Sequence, residues 1–254
     1  MHTEPEDGTR SAETPAEGTH ATATRRSDGG STDGDRTDDP AAAAHLERSR
    51  KVWDRWSDYY AMSERDFEPM REAAIDRLGL EPGDRVLEIG CGPGVNFEAL
   101  RAAVGESGSI VAVDYSPAMV SKARDRIDEH GWENVEVRLA DATTVDLEGE
   151  FDAAVATLSL GIMPDVRRAV ENVHDSLAPG RPFVVIGLRA IPEGPARIAN
   201  PFVVRFFRWY ANWRPEADVL ETLSSVYDEC EVVDDALLGV AYTALCRKTA
   251  DEGD

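Results

Sequence analysis

Lysine is nearly missing from this chain. Of 27 basic residues only Lys51, Lys122 and Lys248 are lysines, set against 49 acidic residues and a formal net charge of −22 over 254 residues. A binder of nucleic-acid backbone needs an electropositive footprint, so that class is excluded as an expectation. Carboxylates in such excess suit a salt-rich interior that screens their repulsion; an ordinary acidic cytosolic protein is the plainer reading. Cysteine is also scarce. Cys91, Cys230 and Cys246 are odd in number, widely spaced and free of any C-x-x-C pair, so neither a disulfide framework nor a zinc knuckle is expected, in keeping with a reducing compartment. No metal site is expected at all. No run approaches the roughly 18 apolar residues of a membrane span, and no apolar segment follows a basic start at the N-terminus. The expectation is a cytoplasmic protein. Residues 1–40 lack large apolar side chains and carry ten acidic against four basic residues. Such a segment cannot bury enough surface to offset chain entropy. It is expected to be a disordered acidic tail, dispensable for fold and activity, ahead of one domain over residues 41–254.

From residue 41 the patterning changes. The run AAAAHLERSRKVWDRWSDYYAM places Leu46, Trp53, Trp56 and Tyr60 at near-helical intervals, and a second helix is predicted over 67–78. Strand and helix patterns then alternate. Strands are predicted at 85–89, 109–113, 135–139, 151–157 and 182–188, with helices at about 95–103, 117–130 and 165–177 between them. The cores VLEI, IVAV, DAAVA and FVVIG are short, unbroken and rich in Val and Ile, as strands buried on both faces of a parallel sheet must be. Right-handed crossovers between them build a doubly wound sheet. A helical insertion near 198–213 precedes two last strands, 231–235 and 240–247, bringing the predicted sheet to seven strands.

The chemistry concentrates in VLEIGCGPGVN, residues 86–96. A strand ends at Ile89, and Gly90, Cys91, Gly92, Pro93 and Gly94 turn the chain into a helix. Glycine serves where the backbone takes φ > 0 or where a ligand comes into contact with it. A lone G-x-G-x-G is weak evidence, but here it stands in a strand–turn–helix context. Asp114 closes the next strand in VAVDYSPAMV, 24 residues after Gly90, the interval at which a carboxylate meets ribose hydroxyls. The third glycine comes one residue early for the dinucleotide pattern G-x-G-x-x-G. Each feature has a plainer reading. Glu88 fits a buried acid satisfied by loop amides, Asp114 a helix cap (although Ser116 with Pro117 already fills that role), and Asp141 a turn residue. Cys91 reads as a small space-filler, since no base partner for it is apparent.

Taken together, these motifs resemble those of the class I S-adenosylmethionine (SAM)-dependent methyltransferases, over roughly residues 53–247. The loop Glu88 to Gly94 resembles the family's E-x-G-x-G-x-G motif. Asp114, with Tyr115 after it, matches the acidic ribose ligand, and Asp141-Ala142 in VRLADATTV matches the adenine-side motif. LAPGRPFVVI, residues 177–186, resembles the L-x-P-G-G turn into strand five, with Arg181 replacing the second glycine. The resemblance implies a Rossmann-like, doubly wound, mostly parallel seven-stranded α/β sheet with N-terminal helices and a helical insertion after strand five. It implies SAM as cofactor, held by Glu88, Gly90, Cys91, Gly92, Gly94, Asp114, Tyr115, Asp141, Ala142 and Thr157.

The protein's part in such a reaction is to hold acceptor, methyl carbon and sulfur in line and to exclude water. Where the acceptor is a phenol, thiol or acidic carbon a base helps, and Tyr60, Asp165 and His174 are the candidates. His174 and His130 lie near helix ends, where a purely structural role suits them. WDRWSDYYAM resembles the N-terminal helix of the ubiquinone/menaquinone-biosynthesis branch, with Tyr60 over the cofactor. TLSLGIMPD, residues 157–165, lacks the N-P-P-Y motif of amide- and nucleobase-nitrogen methyltransferases and looks closer to phospholipid and alkyl-thiol relatives. The segment from Pro201 to Trp213, PFVVRFFRWYANW, puts Phe202, Phe206, Tyr210 and Trp213 on one helical stripe, with Arg205, Arg208 and Asn212 on another face. Three readings fit it: a core-covering helix with a solvated arginine edge, a lid over an apolar acceptor, or a helix resting on a membrane surface. The expected acceptor is a small, largely apolar molecule such as a quinone precursor or lipid, with no nucleic-acid partner. The alternative is a non-catalytic SAM-binding sensor or scaffold.

Overall fold

The computed structural model describes residues 40–56, 67–147 and 149–249. Residues 1–39, which make up nearly all of the expected tail, and Tyr60 lie outside them; Pro40 already belongs to the first helix. Two helices, α1 (Pro40–Trp56) and α2 (Glu68–Asp76), precede the sheet. Next come β1 (Arg85–Ile89), α3 (Phe97–Val104), β2 (Ser109–Asp114), α4 (Pro117–His130), β3 (Val135–Leu139) and β4 (Ala153–Thr157). A single 3-10 turn (Leu160–Ile162), α5 (Val166–Ser176) and β5 (Pro182–Leu188) follow. A second 3-10 turn (Pro195–Ala199) leads into α6 (Asn200–Ala211), α7 (Val219–Val226), β6 (Glu229–Ala236) and β7 (Ala241–Arg247).

The strands form one seven-stranded sheet in the order β3-β2-β1-β4-β5-β7-β6. β1 to β5 run parallel, while β7 pairs antiparallel with both β5 and β6. This is the doubly wound, mostly parallel architecture the alternating pattern predicts. Its reason is visible in β1: Val86 and Leu87 are both fully buried, because successive side chains enter opposite layers. Val86 packs with Phe97, Leu100 and Ile110 on one face. Leu87 packs with Phe151, Val170 and Val173 on the other. The chain winds outward from β1 to β3, then returns to place β4 on the other side of β1. Loops at the carboxyl ends of β1 and β4 therefore diverge and leave a crevice.

Local chemistry sets the boundaries. The Ser116 side chain caps α4 by accepting from the Met119 N–H, Pro117 sits at the first helical position, and Gly131 ends the helix in the left-handed region. Helix α7 is not anticipated by the sequence pattern: it spans eight residues and buries only Val219 and Leu223. One expectation is corrected outright. Cys230 and Cys246 sit directly opposite each other on β6 and β7 and form a disulfide. A separation of 16 residues carries no signature of cross-strand pairing, so cysteine spacing alone could not show it. Cys91 remains a buried free thiol.

Candidate functional site

A cavity opens over the carboxyl edge of the sheet, at the β1/β4 reversal. Its floor comes from the glycine loop and the ends of four strands: Gly90 and Gly92 after β1, Asp114, Tyr115 and Ser116 at the end of β2, Thr157, Leu158 and Ser159 at the end of β4, and Gly187 and Leu188 at the end of β5. Gly92 has φ +55 and nothing within 4 Å of a Cβ built on it. It is a point where bare backbone faces open space. Gly90 and Gly94 are glycines for another reason, since a Cβ there would strike Ser159 and the Phe97 ring respectively.

Asp114 anchors this floor. Its carboxylate accepts the Gly92 N–H at 2.8 Å and the Ser116 N–H at 2.8 Å, one on each oxygen. Two acceptors can take about four hydrogen bonds between them, so each oxygen retains capacity toward the cavity. Burial lifts the Asp114 carboxyl above its ordinary range, while the N–H groups of Ser116, Gly92 and Tyr115 pull it back down.

Beneath the loop lies a polar cluster that meets the cavity at Thr157. Glu88 is 1% exposed, and its Oε1 accepts from Asn96 Nδ2 at 2.8 Å. The same amide donates to Thr157 Oγ1 at 3.1 Å. Glu88 Oε2 and Asn96 Oδ1 are buried with no hydrogen-bond partner. Burial pushes the Glu88 carboxyl up to about 8, with the Asn96 hydrogen bond opposing and the Asp114 charge adding. An acid whose folded pKa exceeds its unfolded value costs stability as pH rises between the two, here from 4.5 to about 8. The protein should therefore lose up to about 4–5 kcal/mol between about pH 5 and pH 9 from this group. Glu88→Gln should flatten that decline. Denaturant midpoints of both proteins at the two pH values check it, and an equal decline in both would refute it.

The upper walls are largely apolar, with Ser49, Arg50 and Arg71 as the polar exceptions. Helix α1 supplies Leu46 and Trp53, the 3-10 turn after β4 supplies Ile162, and α6 with its C-terminal extension supplies Phe207, Tyr210, Ala211 and Trp213. A buried polar knot ties these pieces together. His45 Nε2 meets the Ile162 carbonyl at 2.8 Å, Ser49 Oγ donates to the same oxygen at 3.3 Å, and Asn212 Nδ2 donates to Ser49 Oγ at 2.7 Å. Desolvation holds the His45 imidazole below its ordinary pKa, which favours the neutral ring that this packing requires. At the other end of α1, Ser116 Oγ donates to Asp54 Oδ1 at 2.6 Å. Helix α1 thus bridges the 3-10 turn after β4 to the start of α4.

Of the residues singled out from sequence, the structure brings Gly90, Gly92, Asp114, Tyr115 and Thr157 together on the cavity wall. It places the others elsewhere. Glu88 is buried in β1, and Cys91 and Gly94 are buried within the loop, off the cavity wall. Asp141 accepts from the N–H and hydroxyl of Thr143 at 2.9 and 2.8 Å, a turn built on its own side chain, and Ala142 packs into the core. Asp165 caps α5, accepting from the Arg168 N–H. His174 lies in the last turn of α5, edge-on to Tyr227. Neither Asp165 nor His174 lines the cavity. The aromatic stripe also divides: Tyr210 and Trp213 face inward with Phe207, whereas Phe202 and Phe206 are 77% and 52% exposed. Arg71 was missed; it is buried on α2 and reaches the cavity, but a single arginine in a helical pattern gives no sign of that. Leu158 was missed too. It holds φ +54 on the wall, a conformation unusual for a bulky residue.

Comparisons with known proteins agree with this geometry. Residues 86–180 match the family described as a methyltransferase domain. The chain is 27% identical over 191 residues to aklanonic acid methyltransferase DauC of Streptomyces sp. (strain C5), covering 72% of this chain and 86% of that protein. It is 27% identical over 177 residues to phosphatidylethanolamine N-methyltransferase of Cereibacter sphaeroides, covering 67% and 84%. In fold it resembles a solved SAM-dependent methyltransferase from Aquifex aeolicus, with TM-score 0.52, 20% identity and 70% and 87% of the two chains covered.

Proposed function

We infer that this chain, a member of the SAM-dependent methyltransferases, transfers its methyl group to a small, largely apolar acceptor of the lipid or quinone-precursor kind. The observation that carries the reading is the division of the cavity. Backbone and carboxylate form its floor, while Leu46, Trp53, Ile162, Phe207 and Trp213 form its roof. A ligand with a polar ribose and an apolar neighbour suits such a chamber. The relation to a phosphatidylethanolamine N-methyltransferase and to a methyltransferase of aklanonic acid supports an acceptor outside the protein and nucleic-acid classes.

The residues present fit the cofactor. Gly92 offers an open cradle that a Cβ would fill. Asp114 has acceptor capacity for ribose hydroxyls, and Glu88 has an orphan oxygen beneath the loop, suited to compensating a nearby ammonium. Bound there, SAM supplies an electrophilic methyl group on sulfonium. The chain's own contribution is placement: Asp114 and the loop fix one partner, the apolar roof orients the other, and α1, pinned by its polar knot, keeps water out. With Asp165 and His174 away from the cavity, the proposed reaction asks for no base from either.

Incubating the full chain with methyl-labelled SAM and a cell extract, then separating lipid, protein, RNA and soluble pools, tests the reading. Label in the lipid-soluble pool supports it; label in RNA or protein alone overturns it. Tight SAM binding with no transfer into any pool identifies a sensor instead. The roof makes a further prediction. Phe207→Ala should lower kcat/KM for the acceptor by about tenfold or more, the scale of losing a buried aromatic contact, while SAM affinity changes less than about twofold. Calorimetry and steady-state rates on one sample separate the two effects.

A further inference from the structure

The stretch from Gly194 to Pro215 contains no acidic residue, although 49 of the chain's 254 residues are Asp or Glu. It carries four arginines: 197, 205, 208 and 214. Its outer face is also the most apolar exposed surface among the described residues: Ile198 is 86% exposed, Phe202 77% and Trp209 70%, with Phe206 beside them. Between these side chains a shallow groove is lined by Pro201, Val204, Arg205, Arg208 and Trp209. Helix α6 is therefore apolar on two sides. One side lines the cavity through Phe207 and Tyr210, and the other stands in solvent.

Exposed large apolar side chains that cluster mark a contact surface. What they contact is indicated by charge. On a molecule so acidic, an acid-free basic band repels nothing anionic, whereas the remaining surface does. Aromatic side chains interleaved with arginine are the composition of a helix lying in a lipid interface, rings in the acyl boundary and guanidiniums among phosphates. We propose that α6 and the 3-10 turn before it dock this protein on an anionic lipid bilayer, with a headgroup phosphate in the groove between Arg205 and Arg208. Arg208 already pairs with Glu216 at 2.8 Å, so Arg205 is the stronger phosphate partner. The inference rests on the proposed lipid-like acceptor and adds its source: an acceptor dissolved in the bilayer reaches the cavity around one helix about 10 Å across.

The test is sedimentation of the full chain with vesicles, read without methyl transfer so that it can fail independently of the enzymatic reading. Equimolar phosphatidylglycerol and phosphatidylcholine should bind the protein at least about tenfold more tightly than phosphatidylcholine alone, at about 0.1 M salt, where the Debye length is about 10 Å. Phe202→Gln with Trp209→Gln should reduce binding to the mixed vesicles at least about tenfold. Arg205→Glu, one exposed charge with little scope for unfolding, should reduce it on the order of five- to twentyfold and leave binding to pure phosphatidylcholine unchanged. SAM affinity, measured on the same samples, should be unaffected by either variant. Three results would overturn the proposal: no binding to mixed vesicles, equal binding of Arg205→Glu and the wild type, or a wild-type dimer in sedimentation velocity that the double variant converts to monomer.

Discussion

Gly92→Val should abolish measurable SAM binding, a loss beyond about a hundredfold, in a protein that still folds. The two halves of that statement have separate physical origins. At φ +55 with no atom within 4 Å of the added Cβ, the branch point meets no protein neighbour, so the penalty to the fold is chiefly backbone strain. That strain is about 1–2 kcal/mol for an L-residue in the left-handed region, or a fall of roughly 2–8 °C in Tm for a chain of this size. The open space, however, is the cavity floor, and a β-branched group there occupies the volume through which a ligand approaches backbone. Isothermal calorimetry and a thermal melt on the same preparation give both numbers. Binding at wild-type affinity would remove the loop from the cofactor site.

Asp114→Ala should weaken SAM binding by up to about a hundredfold, the upper end of what charge-assisted hydrogen bonds to two ribose hydroxyls supply. The structure adds a reason for expecting the upper end. The carboxylate also holds the N–H groups of Gly92 and Ser116, so its removal loosens the cradle and leaves two donors to find other partners. Asn is no remedy: its NH₂ would have to face one of two N–H donors, and Asp114→Asn should lose nearly as much as alanine. A SAM analogue lacking the ribose hydroxyls separates recognition from anchoring. It should bind the wild type more weakly than SAM does, and bind Asp114→Ala no more weakly than SAM does, since coupled contacts are not additive. Equal discrimination against the analogue by both proteins would leave Asp114 as a structural anchor only.

The centre of the sheet was legible because β1, β2, β4 and β5 are buried on both faces and so read as unbroken apolar runs; β1, β2 and β5 fall within a residue of their expected bounds. The glycine loop and Asp114 were legible because positive φ and a strand-end carboxylate leave local marks in the sequence. What was not legible depends on distant parts of the chain. Helix α6 turns Phe207 toward the cavity and exposes Phe206; in a helix apolar on two sides, periodicity cannot say which side faces inward. Cys230 and Cys246 meet through strand pairing, and a spacing of 16 residues implies nothing about register. His45, Ser49 and Asn212 are separated by up to 167 residues and meet in one buried knot. Asp141 had a fair plainer reading, a turn held by its own side chain, and that is the geometry it adopts.

The reversal of winding at β1 and β4 has a consequence for how this chain can change. The cavity floor is drawn from the loop after β1, the β2–α4 junction and the ends of β4 and β5, whereas the roof is drawn from α1, the start of α2, the turn at 160–163 and the segment 207–213. Substitutions at 46, 53, 162, 207 and 213 leave the Asp114 and Glu88 contacts with Gly92 and Asn96 untouched, because these are closed within the floor, whereas Asp54 of α1 holds Ser116 and has to stay. Selection, or a directed-evolution library confined to positions 46, 53, 162, 207 and 213, can therefore explore new acceptors without surrendering the methyl donor. On the function proposed above, a chain wound this way is a donor socket with an exchangeable cover.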